Sequence, residues 1–159
     1  VGHFVQGLIA KQTCFQACSE VAPRSRVASL DQGFGLLLVT DAPDSRCNDP
    51  IPPKIAAVAQ ELSLRAPVAY IETEYFGGAG GQRAALWRDG AIIQVCETSD
   101  ERGTEASTPL RDRPINTMLR AIGVEIGPHL DEFEAIGLDQ FRSHEDWLAT
   151  IHENTVGNG

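Results

Sequence analysis

The chain has 159 residues, 42 % hydrophobic and 22 % charged, with a formal net charge of −9 at pH 7. That length suits one domain with a real core, and the composition suits neither a disordered nor a membrane protein. The charge is uneven: residues 1–96 carry eight Lys/Arg against nine Asp/Glu, and residues 97–159 five against thirteen, a balance that disfavours nucleic acid and anionic membrane as partners.

In chain order, Val1 to Lys11 lacks a basic segment ahead of its apolar part, so His3–Ala10 reads as a first strand rather than a signal peptide. With no apolar run of about 18 residues to span a membrane, the expected location is the cytoplasm. Cys14, Phe15, Cys18 and Val21 recur at helical spacing, and Pro23 ends that segment. Gly33–Thr40 is continuously apolar, as in a strand buried on both faces. Asp41–Pro53, rich in Pro, Asp and Asn, reads as a loop. Pro53 opens a helix over Lys54–Leu64, whose stripe of Ile55, Val58, Ala59 and Leu62 should lie against a sheet.

Val68–Phe76 then reads as a strand, followed by a glycine loop, a second strand through Arg88 and a third over Ala91–Val95. Asp89-Gly90 between the last two predicts a type I′ hairpin turn. Thr98–Asp112 is a polar surface loop. Asp112 is placed to cap a helix with Pro114 in its first turn and Ile115, Met118, Leu119 and Ile122 on one face. Asp131–Ile136 forms a short acidic helix stopped by Gly137, and Ser143 caps a last helix carrying Trp147, Leu148 and Ile151. The expected fold is α+β: a single domain over residues 1–159, with a mixed or antiparallel sheet of about five strands and helices packed mainly on one face.

Three segments carry candidate chemistry. Period-2 alternation puts Tyr70, Glu72, Glu74 and Phe76 on one strand face, with the two carboxylates about 6.5–7 Å apart. Such a pair suits a shared divalent cation or acid–base work; the alternatives are a solvent-facing polar stripe, or a pair held by Arg83 or Arg88 across the hairpin. Gly77, Gly78, Gly80 and Gly81, with Gln82 and Arg83, form a candidate ligand loop. It lacks the Gly-Lys-Ser/Thr ending and the G-x-G-x-x-G spacing of phosphate loops, so a wide turn or close packing competes with ligand binding. Gly80-Gly-Gln82 also matches the catalytic tripeptide of peptide-chain release factors, on a chain lacking their basic surface. The third candidate is acidic: Asp131, Glu132, Glu134, Asp139, Glu145 and Asp146, interleaved with Phe133, Phe141 and Trp147, would suit a basic protein partner.

Four cysteines, 14, 18, 47 and 96, contain no CxxC pair and read as structural thiols, with Cys47 beside Arg46 a weaker candidate for reactivity. His144-Glu145 does not begin an HExxH motif, since position 148 is Leu, and no metal or cofactor is expected. The leading expectation is a non-enzymatic binding protein of immunity or antidote type. A small-ligand-binding protein or metal-dependent hydrolase at Glu72, Glu74 and the glycine loop is one alternative. A self-associating module, in its simplest form a homodimer, is the other.

The strings Tyr70-Ile-Glu-Thr-Glu-Tyr-Phe-Gly-Gly78, Gln82-Arg-Ala-Ala-Leu-Trp87, Ile115-Asn-Thr-Met-Leu-Arg-Ala-Ile-Gly-Val124 and Asp131-Glu-Phe-Glu-Ala-Ile-Gly-Leu138 together resemble a group of small bacterial proteins of unknown function. The resemblance spans residues 68–151. It implies a single bacterial cytoplasmic domain and carries over no catalytic residue.

Overall fold

The computed structural model describes residues 3–18, 20, 26–39, 51–76, 79–99, 103, 107–141 and 143–157. Gly77, Gly78 and Cys47 lie outside these residues, as do most of the loop expected over 41–53 and much of that over 98–112. The chain runs β1 (His3–Lys11), α1 (Gln12–Ala17), β2 (Val27–Ser29), β3 (Phe34–Leu38), α2 (Pro53–Ser63), β4 (Val68–Phe76), β5 (Ala79–Arg88) and β6 (Ala91–Ser99). It continues with α3 (Pro114–Ala121), α4 (Glu132–Ala135) and α5 (His144–Gly157). Single 3-10 turns at Asp31–Gly33, Leu110–Asp112 and Leu138–Gln140 punctuate it.

All six strands form one antiparallel sheet in the order β2-β3-β1-β4-β5-β6. The fold is therefore α+β, with the antiparallel arrangement of the two that the sequence leaves open. The central strands are buried on both faces, so their apolar residues alternate between two cores. Ile9, Ala69, Ile71, Ala84 and Leu86 face a larger core, closed by Ile115, Met118 and Leu119 of α3, Ala135 of α4, and Trp147 and Ile151 of α5. Leu8, Val68, Tyr70, Ala85 and Trp87 face a smaller one, closed by Cys14 and Phe15 of α1 and Ile55, Ala59 and Leu62 of α2. The heavier helical layer thus lies on one face, and α1 and α2 cover part of the other.

Local chemistry explains the joints. The hairpin predicted at Asp89-Gly90 is present, with positive φ at both residues (53° and 83°), as a type I′ turn requires. Its amides are tied to the end of α2: Asp89 N–H donates to Ser63 O at 3.1 Å and Gly90 N–H to Ser63 Oγ at 2.9 Å. Ser143 Oγ accepts from Asp146 N–H at 3.3 Å, the predicted cap of the last helix. The expected cap at Asp112 is corrected: the residue before α3 is Arg113, whose side chain makes no cap, and Gln82 of β5 supplies the acceptor instead, taking the Ile115 N–H at 2.8 Å. The sheet edge β2 is short, and β6 runs past Val95 to Ser99.

Candidate functional site

The strand register aligns a polar row across four strands. Gln6 of β1 lies opposite Glu72 of β4, Glu72 opposite Arg83 of β5, and Arg83 opposite Glu97 of β6. One row along, Leu8, Tyr70, Ala85 and Val95 line up in the same way. Because Tyr70 and Ala85 belong to the smaller core, the polar row stands on that same face, at the end of the core away from the hairpin turn.

Gln6, Tyr70, Glu72 and Arg83 are all buried, Glu72 with 1 % exposure. Gln6 Nε2 donates to Tyr70 Oη at 2.7 Å, and Tyr70 Oη donates to Glu72 Oε2 at 2.9 Å. Arg83 donates to the same oxygen twice, from Nε at 3.2 Å and Nη2 at 2.9 Å. Burial raises the Tyr70 phenol above its ordinary range, and the adjacent Glu72 charge adds to this, so it stays protonated as the donor. Burial alone would lower the Arg83 pKa; the neighbouring Glu72 carboxylate offsets this and the net shift is upward. Glu72 Oε1 is buried and has no hydrogen-bond partner among the described residues.

The solvent-facing stripe weighed for this strand face is corrected, because Glu72 is buried, and Arg83 holds Glu72 across the hairpin. Glu74 is half-buried, two residues along and opposite Gly81. The Arg83 guanidinium sits on Oε2 of Glu72. No three His, Cys, Asp or Glu side chains among the described residues stand together as a metal site.

The glycine segment is strand rather than loop from Ala79 onward. A Cβ on Gly81 would fall 2.3 Å from Thr98 O and 2.9 Å from Ser99 Cα, so this glycine lets β5 and β6 approach. Gly80 has φ 154° and is half-buried. Gln82, the third residue of the release-factor-like tripeptide, is buried with its side-chain oxygen on the first turn of α3. Its role here is to anchor a helix to the sheet.

The acidic C-terminal candidates divide. Asp131 and Glu132, expected on a partner-facing surface, are buried and bonded within the domain. Asp131 caps α4 by accepting from Glu134 N–H at 2.8 Å and also accepts from Asn116 Nδ2 at 3.1 Å. Glu132, 1 % exposed, takes Arg111 Nη2 at 2.9 Å, with Arg120 Nε at 3.7 Å from the same oxygen. Two carboxylates placed at a helix start next to Asn and Arg side chains gain hydrogen bonds that solvent exposure would forgo. Glu134 is half-buried beside His129, whose Nδ1 lies 3.4 Å away. Asp139, Glu145 and Asp146 are exposed. Of the interleaved aromatics, Trp147 is buried, while Phe133 and Phe141 pack partly buried against the larger core.

Two buried amide side chains escaped the sequence reading. Gln6 interrupts an otherwise apolar strand, and Asn116 lies beside Ile115 in α3. Asn116 accepts from Phe133 N–H at 2.9 Å and donates to Leu110 O at 2.8 Å, besides its bond to Asp131. The available signal was a lone amide inside an apolar pattern. The cysteines behave as structural thiols: Cys14 donates to Leu62 O at 3.2 Å, Cys18 accepts from Arg65 Nε at 3.1 Å, and neither forms a disulfide. No helix among the described residues is long and apolar enough to cross a membrane. Set against known protein families, curated proteins and solved structures, the chain matches none.

Proposed function

We propose that this chain is a non-enzymatic binding protein, in the cytoplasm, that engages a basic protein partner through the exposed carboxylates of its C-terminal helical layer; an antidote to a basic toxin is one concrete form. One observation carries the reading. Asp139, Glu145 and Asp146 are exposed and form no ion pair among the described residues, whereas Arg111 and Arg120 turn onto buried Glu132. Such a surface accelerates encounter with a cationic partner and selects against anionic ones. Joint replacement of Asp139, Glu145 and Asp146 by Lys should abolish capture of purified basic proteins by the immobilised chain while leaving its circular dichroism unchanged. Undiminished capture would contradict the proposal.

A second reading has its own support in Glu72 Oε1. A buried acceptor without a donor costs about 1–3 kcal/mol, and a small ligand bearing an ammonium, amide or hydroxyl donor would remove that cost. Glu74 and the Gly80–Gln82 backbone are the neighbouring polar groups. Thermal-shift titrations with small amines, amides, Mg²⁺ and Mn²⁺ test it. A rise in melting temperature that disappears in Glu72→Gln is expected, and a flat panel rejects it.

A further inference from the structure

Cationic side chains are scarce in the acidic part of the chain and gathered in one place. Of the five Lys/Arg after residue 96, three (Arg111, Arg113 and Arg120) lie within residues 111–120, where Asp112 is the sole carboxylate. They bracket α3: Arg111 belongs to the 3-10 turn ahead of the helix, Arg113 immediately precedes it, and Arg120 sits in its last turn. Arg113 donates from Nε to Thr108 O at 3.4 Å. Arg111 and Arg120 instead converge on a common point.

That point is Oε1 of Glu132. Arg111 Nη2 lies 2.9 Å from it and Arg120 Nε 3.7 Å, and Arg120 Nη2 donates to Arg111 O at 2.6 Å. Glu132 is 1 % exposed, whereas the two arginine side chains are 49 % and 42 % exposed. One cation neutralises a buried carboxylate, so the second guanidinium is surplus to Glu132. A guanidinium offers one fork along its Nε/Nη2 edge and another at its Nη1/Nη2 end. Arg120 turns the first toward Glu132 and Arg111 O. Its Nη1, like Nε and Nη1 of Arg111, has no hydrogen-bond partner among the described residues. Neither arginine reaches Glu132 Oε2, which is buried and unpartnered among those residues. The remaining N–H groups are therefore not used on the interior, and both side chains are about half open to solvent.

We propose that Arg111 and Arg120 form a binding site for a phosphate group, carried as inorganic phosphate or as a small phosphate monoester. Planar guanidinium forks match the spacing of oxyanion oxygens and hold them bidentately. Both side chains are positioned before a ligand arrives, by Glu132 and by the Arg111 carbonyl, so less rotamer freedom is lost on binding. Phosphate suits two guanidiniums better than a carboxylate does. Its three terminal oxygens accept from both at once, and its charge of about −1.5 to −2 at pH 7 engages both cations. The adjoining carboxylate, Asp131, is bonded to Asn116 Nδ2 and to Glu134 N–H, so it does not take the arginines for itself. The site is separate from the acidic surface proposed above. It takes an anion where that surface takes a cation, and it uses none of Asp139, Glu145 or Asp146, so either reading can fail without the other.

Isothermal titration calorimetry of the full chain at low ionic strength tests the site, with inorganic phosphate and O-phosphoserine as separate ligands and acetate as the carboxylate comparison. Saturable binding of phosphate at one site per chain is expected, tighter than that of acetate. The tighter of the two phosphates identifies the free anion or the monoester as the source. Arg111→Lys and Arg120→Lys should each weaken binding about tenfold or more, the loss of a charge-assisted hydrogen bond. Their urea unfolding should stay near wild type, because an ammonium still faces Glu132 and only the planar fork is gone. Lys54→Gln removes a charge from exposed Lys54 of α2 and should bind phosphate as the wild type does. No saturable binding of either phosphate, acetate bound as tightly as phosphate, lysine variants that bind as the wild type, or an equal loss in Lys54→Gln overturns the inference.

Discussion

One carboxylate oxygen of Glu72 accepts from Arg83 twice and from Tyr70 once, and the pair is almost wholly enclosed. Removing either partner strands the other charge in the interior, so Glu72→Ala or Arg83→Ala should each lower unfolding free energy by about 3–5 kcal/mol in urea titrations. Joint replacement of both by Met should cost less than either single change, because no buried charge remains. Additive losses in the double variant would show that the pair is not coupled. Asp131→Ala removes a helix cap, worth roughly 0.5–2 kcal/mol, and also leaves Asn116 without one acceptor. Cys14 contributes to the alkaline limb of stability. Burial, reinforced by Cys18, pushes the Cys14 thiol up to about 11 from 9.0. The folded state therefore holds a proton that the unfolded chain releases, and stability should fall as pH rises from 9.0 to about 11. Cys14→Ala should flatten that part of the pH profile, and an unchanged slope would assign it elsewhere.

Elements with a strong local signal were legible in the sequence. The hairpin turn at Asp89-Gly90 needs only two residues able to take positive φ, and the stripe of α2 needs only helical spacing, so both follow from short-range chemistry. Elements defined by their partners were not. Val27–Ser29 is three residues long and becomes a strand because β3 lies beside it. The start of α3 is capped from another element, by Gln82, which no local pattern at Asp112 could reveal. Gly81 was read as part of a wide turn, a point of close packing or part of a ligand loop; the choice depended on where Thr98 lies in space. Since a Cβ there would meet backbone at 2.3 Å, Gly81→Ala should force β5 and β6 apart and cost on the order of 1–3 kcal/mol. Amide exchange should accelerate along β6 first. A variant as stable as the wild type would mean the two strands can separate without penalty.

For the molecule as a whole, charge was readable and its display was not. The sequence located the acidic excess after residue 96 correctly, yet an Asp or Glu ahead of a helix is equally suited to capping it or to facing solvent. Asp131 and Glu132 took the inward role because Asn116, Arg111 and Arg120 converge on them. Asp139, Glu145 and Asp146 took the outward one. The proposed partner surface is accordingly smaller than composition suggests, and it lies on the helical layer. Its attraction must be electrostatic, because the neighbouring aromatics are wholly or partly buried. The most direct measurement is the affinity for a captured basic protein as a function of salt. The account predicts that affinity falls about tenfold or more between low and high ionic strength, and that the wild type at high salt resembles the Asp139/Glu145/Asp146-to-Lys variant. Affinity that is insensitive to salt would contradict it.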